Sequence, residues 1–512
     1  MTAGRKIPAY VWILLVIAAF AAIVWIAWLR VGQSLAPKAE EPRDAVDIVL
    51  VVVDTERADY TSVYGAKKST TPFLKKIATD GIRFTRAFAP APWTAPSMYS
   101  LFTGYYPTQH GITGGSLQGK TIVGQGVLPP EAVTLAEYAE KSGYTTFGVN
   151  TNFHLIRKFG FAQGFDNFVG DKFYDLPFPN VKVFGWINKI LSSQKYFLWI
   201  HYFDPHFPYV PRSPWFEEWQ QGEYSSYSEF IEDMAEFSYR KENNLNLDAG
   251  ISGEGILEYR KKRLIEFRRN PELLYDLILD FPEPLLDNVS DFLSTAYMTE
   301  IRDDDKAIGM AFKALGAGEN TFVIYTSDHG EELLDHGQLG HRNDNALYQE
   351  LLHVPLIIHL PGGEGAGMVI DTPVSLVDIV PTVLDYLDAE IPEDLPGRSL
   401  LSLVRGGRWN KRTLYAEVIK RDGRLYRTII EYPWKYIMCF DNFSEELYNL
   451  DADPVEKDNL SEKDTARAAE MKKKLEQWTA SLEQKWEVEQ LAPLSQEEIE
   501  RLRSMGYIGG NE

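Results

Sequence analysis

"DIVLVVVD", residues 47–54, is a valine-rich run with no charge between its two aspartates. Such a run reads as a strand buried on both faces, as in a parallel sheet. Further runs of the same texture are "YTTFGVN" (144–150), "YFLWIHYFD" (196–204), "NTFVIYTSD" (320–328) and "VPLIIHLP" (354–361). Helical patterns fall between or after them: "TPFLKKIATDG", "TLAEYAEKSG", "YMTEIRDDDKAIGMAFKALG" and "SLVDIVPTVLDYLD". The alternation predicts an α/β fold, a central mainly parallel sheet flanked by helices.

Outward from this core the texture changes at both ends. "PAYVWILLVIAAFAAIVWIAWL" (8–29) carries no charge, is bracketed by Lys6 and Arg30, and has Trp12, Trp25 and Trp28 for the membrane interfaces. About 20 apolar residues cross a bilayer, so the expectation is an uncleaved transmembrane helix, with 1–7 cytoplasmic and the rest of the chain extracytoplasmic, periplasmic or extracellular. A polar linker (30–45) leads to a catalytic region (46–410). Within it, residues 212–290 break the pattern with charged, aromatic-rich helical sequence. This is read as an insertion over one end of the sheet, either a solvated excursion or a lid that selects substrate or touches lipid. From 411 to 485 short strands separated by turns predict an antiparallel subdomain closed by a helix, and 486–512 form a tail.

The formal charge of −21 argues against nucleic acid as a partner, because phosphate neutralisation needs a basic surface. It does not exclude an anionic substrate, since a bound cation reverses the local field. Cys439 is the only cysteine, so no intrachain disulfide forms.

Three predicted strands end in groups able to bind a cation or move a proton. Asp54 ends the first, Asp328 and His329 end "VIYTSDHG", and His206 follows "IHYFDPHFPY". The carboxyl ends of strands form the binding crevice of open α/β sheets. One such aspartate is an ordinary cap, but three strand ends of this kind point to a site. "PWTAPSMYSLFTG" (92–104) reads as a helix starting at Thr94 and closing on Gly104. Asp54, Asp328, His329 and Thr94 together make a four-ligand site for one divalent ion. The mixed oxygen–imidazole set favours manganese or zinc, with calcium or magnesium as alternatives. A metal and a helix N-terminus both favour a developing alkoxide, which a threonine hydroxyl needs before it can attack.

"VVVDTERADYTSVYG", "PWTAPSMYSLFTGYYPTQHG", "DPHFPY", "YTSDHGEELLDHGQLGH" and "ELYNLDADPVEKDNL" resemble the ordered motifs of the sulfatase family, within the alkaline phosphatase superfamily. The closing "SQEEIERLRSMGYIGG" is also similar to the tail of many bacterial members. The resemblance implies that Asp54, Asp328 and His329 hold the metal, that Thr94 is the nucleophile, and that His206 lies beside the transferred group. It further implies that His341, with Arg342 behind it, assists the leaving group. His110, His201 and His336 read as supporting histidines.

The chain departs from that pattern at Thr94, where ordinary sulfatases carry a Cys or Ser that becomes formylglycine. Met98 replaces the family's arginine, and Thr55 replaces a second aspartate. These changes resemble the threonine-dependent phospho-transferases and phosphodiesterases of the superfamily. The expected substrate is therefore a phosphoester, of a lipid or a glycan, with a sulfate ester as the alternative and a non-catalytic scaffold as a third reading.

Overall fold

The computed structural model describes residues 45–113, 116–118, 121–123, 126–170, 178–245, 254–269, 271–341, 347–420 and 422–490. The expected anchor at 8–29, nearly all of the linker, Arg342 and the tail beyond 490 lie outside the described residues. Among the described residues no helix is long and apolar enough to cross a membrane.

The strands of the central sheet are β1 (Asp47–Val53), β2 (Ile82–Phe88), β3 (Thr145–Val149), β4 (Asn167–Val169), β5 (Tyr196–Tyr202), β6 (Thr321–Ser327), β7 (His353–His359), β8 (Met368–Ile370) and β9 (Val374–Ser375). They lie in the order β8-β2-β7-β6-β1-β5-β3-β4, with β9 also pairing β2. β1 is parallel to both neighbours, Val53 lying beside Tyr202 on one side and Ser327 on the other.

The apolar run of β1 follows from its position. Ile48, Leu50 and Val52 enter one core and Val49, Val51 and Val53 the other, so neither face meets water. A fully buried Val or Leu contributes about 1.5–3 kcal/mol. On one face β1 packs with α1 (Pro72–Asp80), α3 (Phe178–Ser192) and the end of α7 (Glu283–Leu315), through Leu74, Ile187 and Phe312. The other face receives α2 (Thr94–Thr103) and α8 (Ile379–Tyr386), through Leu101, Phe102 and Val380.

The sheet is mainly parallel, as expected, and is made mixed by one strand. "VPLIIHLP" forms β7, which runs antiparallel to both β6 and β2. The chain leaves β6 and enters β7 at the same end of the sheet, where residues 328–341 and 347–352 lie. An apolar run has the same sequence pattern in either direction, so the reversal was not visible. β2 was not anticipated either, because Arg83 and Arg86 interrupt its apolar residues.

The helices after residue 212 include α4 (Tyr227–Glu242), α5 (Glu254–Arg269) and α6 (Pro271–Leu279), and the region then runs into α7. α7 begins inside the expected insertion and ends packed on the sheet, so 290 is not a structural boundary. These helices have their own core, with Phe230, Leu274 and Phe292, which also takes in Phe207, Leu333 and Leu339 from the strand-end loops.

The C-terminal region is antiparallel as expected: β10 (Leu414–Ile419), β11 (Leu425–Glu431), β12 (Trp434–Cys439) and β13 (Glu445–Asn449) pair in sequence. α9 (Thr465–Ser481) covers one face through Met471 and Leu475. Leu414, Ala416 and Ile437 join the main core.

Candidate active site

Asp54 follows β1 directly, and its amide donates to the Tyr202 carbonyl at 2.8 Å. The chain then turns at Thr55, whose φ is 60°. That turn brings the Thr55 amide to Asp328 Oδ1 at 3.2 Å and the Glu56 amide to Ser327 Oγ at 2.8 Å. The ends of β1 and β6 are thereby tied together, and their aspartates are held in register.

Thr94 is the first residue of α2 and is fully buried. Its Oγ1 lies 3.5 Å from Asp54 Oδ1 and 3.3 Å from His329 Nε2. Asp54, Asp328 and His329 present ligand atoms within 4.8 Å of one another. His329 Nδ1–H donates to the Gly330 carbonyl at 2.8 Å, which leaves the Nε2 lone pair facing the aspartates. Ser97, one turn into α2, donates to the Asp328 carbonyl at 2.5 Å and pins the helix against the metal-ligand candidates.

The residues fit a divalent cation. Asp328 Oδ2 is buried without a hydrogen-bond partner among the described residues, as is His201 Nε2. His201 Nε2 stands 3.7 Å from Asp54 Oδ2, while its Nδ1 lies 3.0 Å from Thr151 Oγ1. Burial, then the Asp328 charge, pushes the Asp54 carboxyl well above the usual range, against the Asn152 hydrogen bond. Burial also raises Asp328, opposed by His329 and by the Thr55 and His329 amides. It lowers His329 to about 3, opposed by the Asp328 charge. Two buried carboxylates beside an uncharged imidazole are a costly arrangement that a cation relieves, by holding both carboxylates ionised.

His206 and His341 converge on the same place. Their rings are 4.6 Å apart and nearly perpendicular, and His341 lies 4.4 Å from the His329 ring. His206 Nδ1 donates to the Phe207 carbonyl at 2.6 Å. Burial keeps His341 down at about 3 and His206 well below its ordinary value. Thr94, His206, His341, Asp54, Asp328 and His329 therefore share one buried site.

The supporting histidines separate. His110 is structural, with Nε2 3.0 Å from Ser100 Oγ and Nδ1 accepting from the Ile112 amide at 3.1 Å. His336 pairs with Glu350. His201 stands directly behind Asp54. Met98 is fully buried in the main core. Cys439 is buried in the C-terminal sheet.

Sequence reasoning missed Asn152, His154 and Glu331. Asn152 Nδ2 donates to Asp54 Oδ2 at 2.7 Å and reaches Thr94 Oγ1 at 3.4 Å. His154 stands edge-on to Trp93 at 5.6 Å. Both follow the carboxyl end of β3, so the strand-end rule, applied to a fourth strand, points to them. Glu331 gave no such signal, being one acid in an acidic loop.

The family model described as Sulfatase matches residues 47–389, and that of the N-sulphoglucosamine sulphohydrolase C-terminal region matches residues 337–485. A protein named uncharacterized sulfatase YidJ, from Escherichia coli, is 26% identical over 475 residues, covering 84% of this chain and 85% of the relative. The N-acetylglucosamine-6-O-sulfatase of Bacteroides thetaiotaomicron is 22% identical over 497 residues, covering 85% and 86%. The crystal structure of the phosphonate monoester hydrolase of Agrobacterium radiobacter superposes with a TM-score of 0.63 at 20% identity, covering 86% of this chain and 96% of that one.

Proposed function

The chain belongs to the sulfatase family and is a hydrolase of that superfamily; from this premise we propose that it attacks a phosphoester through Thr94, either hydrolysing a phosphodiester or passing the phospho group to an acceptor alcohol. The observation that carries the reading is Thr94 itself, a fully buried threonine at a helix start, within 3.5 Å of Asp54 and 3.3 Å of His329.

Threonine cannot become formylglycine. A sulfothreonine intermediate lacks the easy elimination that a formylglycine hydrate supplies, whereas a phosphothreonine is open to attack by water or an alcohol. Asp54, Asp328 and His329 would hold one divalent ion, for which the mixed ligand set favours manganese or zinc. Such an ion, when bound, lowers the pKa of a coordinated alcohol and offsets charge on the transferred group.

The remaining steps belong to the chain. The first amides of α2 favour negative charge at Thr94. Asn152 donates toward both Asp54 and Thr94 and fixes their separation. His206 faces the transferred group, and His341 delivers a proton to the departing oxygen. The proposal includes anchoring by residues 8–29, with the catalytic region outside the cytoplasm and an ester of a lipid or glycan as substrate.

The second reading, a sulfuric ester hydrolase, is favoured by the relatives, which are named as sulfatases, one of them acting on N-acetylglucosamine 6-O-sulfate as its name states. Intact-mass analysis after brief exposure to phosphodiester and sulfate-ester mixtures decides between them. A phosphate-containing adduct on wild type that Thr94→Ala does not form supports the first reading, with Thr94→Ser keeping partial turnover. A sulfate-containing adduct supports the second. Wild-type turnover of a phosphodiester by Thr94→Ala ends the threonine mechanism.

A further inference from the structure

Glu331 stands two residues after His329, is fully buried and is not among the candidate metal ligands. Its backbone is fixed from both sides. The amide donates to the Glu350 carbonyl at 2.9 Å, and the carbonyl accepts from Arg57 Nη1 at 3.1 Å. The side chain turns into the site, where Oε1 lies 2.8 Å from Nδ1 of His341. Neither partner meets solvent appreciably, the side chains being 0% and 7% exposed. Water therefore does not compete for Nδ1, as it does in an exposed carboxylate–histidine pair.

The His341 ring also packs against two others, tilted to His329 at 4.4 Å and nearly perpendicular to His206 at 4.6 Å. A ring so enclosed keeps its orientation only if one nitrogen is held. We propose that Glu331 is a positioning residue that holds His341 by Nδ1, so that Nε2 is the nitrogen that meets the leaving-group oxygen. This rests on the Thr94 reading above and adds to it the residue that aims the acid.

Thr94 enters as the alkoxide, its proton already passed to water. Its oxygen forms a bond to phosphorus while the bond from phosphorus to the leaving oxygen breaks, the electron pair going to that oxygen. His341, neutral in the resting site, takes up a proton together with the anionic ester, whose charge offsets that of the ring, and its Nε2 proton moves to the same oxygen. His341 ends neutral, with its Nδ1–H still on Glu331. A carboxylate that orients a histidine in this way fixes the tautomer and takes no proton itself.

The test compares phenol with 4-nitrophenol as leaving group, each offered as a phosphodiester and as a sulfate ester to the full-length Mn²⁺-loaded protein. The 4-nitrophenolate departs without help, and phenolate needs the proton. Glu331→Gln, which keeps shape and burial, is expected to lower kcat on the phenyl ester about 100-fold and on the nitrophenyl ester only a few fold, with KM little changed. His341→Ala is expected to show the same asymmetry, and the double variant to be no slower than His341→Ala alone. Equal losses on both esters, or multiplying losses in the double variant, overturn the proposal.

The Thr94 reading fails separately, on turnover by Thr94→Ala or on a sulfate adduct, and the leaving-group comparison is then read on whichever ester class reacts. If neither class reacts, ¹⁵N signals of the histidine rings decide, with His341 assigned by difference from His341→Ala. Nδ1-protonated His341 in wild type, lost in Glu331→Gln, supports the proposal. A mixed tautomer in wild type overturns it.

Discussion

Asn152 donates its side-chain amide to Asp54 Oδ2 at 2.7 Å, on the carboxylate whose other oxygen faces Thr94. The Asn152 side-chain oxygen Oδ1 is equally committed, accepting from the His154 amide at 2.9 Å. Asn152→Asp keeps the second bond and turns the first into two acceptors facing each other. Loss of a buried hydrogen bond to a charged group costs about 1.5–3 kcal/mol, and the added charge compounds it. The expected outcome is a lower melting temperature in chelator, partly recovered with Mn²⁺, and a kcat reduced at least tenfold. An unchanged melting temperature in chelator would remove Asn152 from the support of Asp54.

Asp328 presents the opposite balance. Its Oδ1 accepts from two amides, at 3.2 Å from Thr55 and 2.9 Å from His329, while Oδ2 has no hydrogen-bond partner among the described residues. Asp328→Asn retains the accepting oxygen and removes a charge that burial and Asp54 make costly. In chelator the variant is expected to melt at or above wild type. Wild type gains about 2.7 kcal/mol when a divalent ion is present at a hundred times its Kd, and the variant should gain almost nothing. Calorimetry with and without Mn²⁺ reads both, and a full metal-induced shift in the variant would take Asp328 out of the ligand set.

His336 gives a pH-dependent term in stability that is separate from catalysis. It is hydrogen-bonded to Glu350, lies 3.1 Å from the Glu456 carbonyl, and stacks on Tyr348 at 3.8 Å. Burial opposes its charge, but Glu350 more than offsets this and raises it above 6.5. A histidine raised on folding contributes stability that is complete below its unfolded value and is lost as pH climbs through the folded one. The stability gap between wild type and His336→Gln should therefore be widest below pH 6.5 and shrink toward alkaline pH. Denaturant titrations at both ends test this, and a gap that grows with pH would show that the pair is not charged.

What was legible in the sequence follows from how far each interaction reaches. β1 was readable because both of its faces are buried, which forces an uninterrupted apolar run. Asp54, Asp328, His329 and His206 were readable because strand ends share one crevice, whatever the details of the loops. The direction of β7 was hidden, since "VPLIIHLP" is equally apolar either way. Asn152 was hidden because an asparagine after a strand is also an ordinary turn residue. Glu331 was hidden more deeply. Its meaning lies in a contact with His341 that exists only once the short hairpin Glu332–Leu333 with Leu339–Gly340 has folded back.

That hairpin links the helical region after residue 212 to the chemistry, and Gly340 is where the link is tightest. Its φ is 70°, and a Cβ there would lie 2.9 Å from the Tyr275 ring of α6 and from its hydroxyl. Gly340→Ala therefore meets two costs: about 1 kcal/mol of backbone strain at positive φ, and a collision that must displace either Tyr275 or the backbone next to His341. If the backbone moves, His341 shifts away from Glu331, so kcat on poor leaving groups should fall by at least tenfold while metal-induced stabilisation persists. Tyr275→Ala alone opens space beneath the hairpin and should cost stability, through lost aromatic packing with Phe207 at 5.4 Å, more than activity. Combining the two relieves the collision and leaves only the φ strain. The double variant should then recover most of the activity lost in Gly340→Ala. Activity in Gly340→Ala equal to wild type would mean that Tyr275 gives way freely, and that the helices of this region do not govern the position of His341.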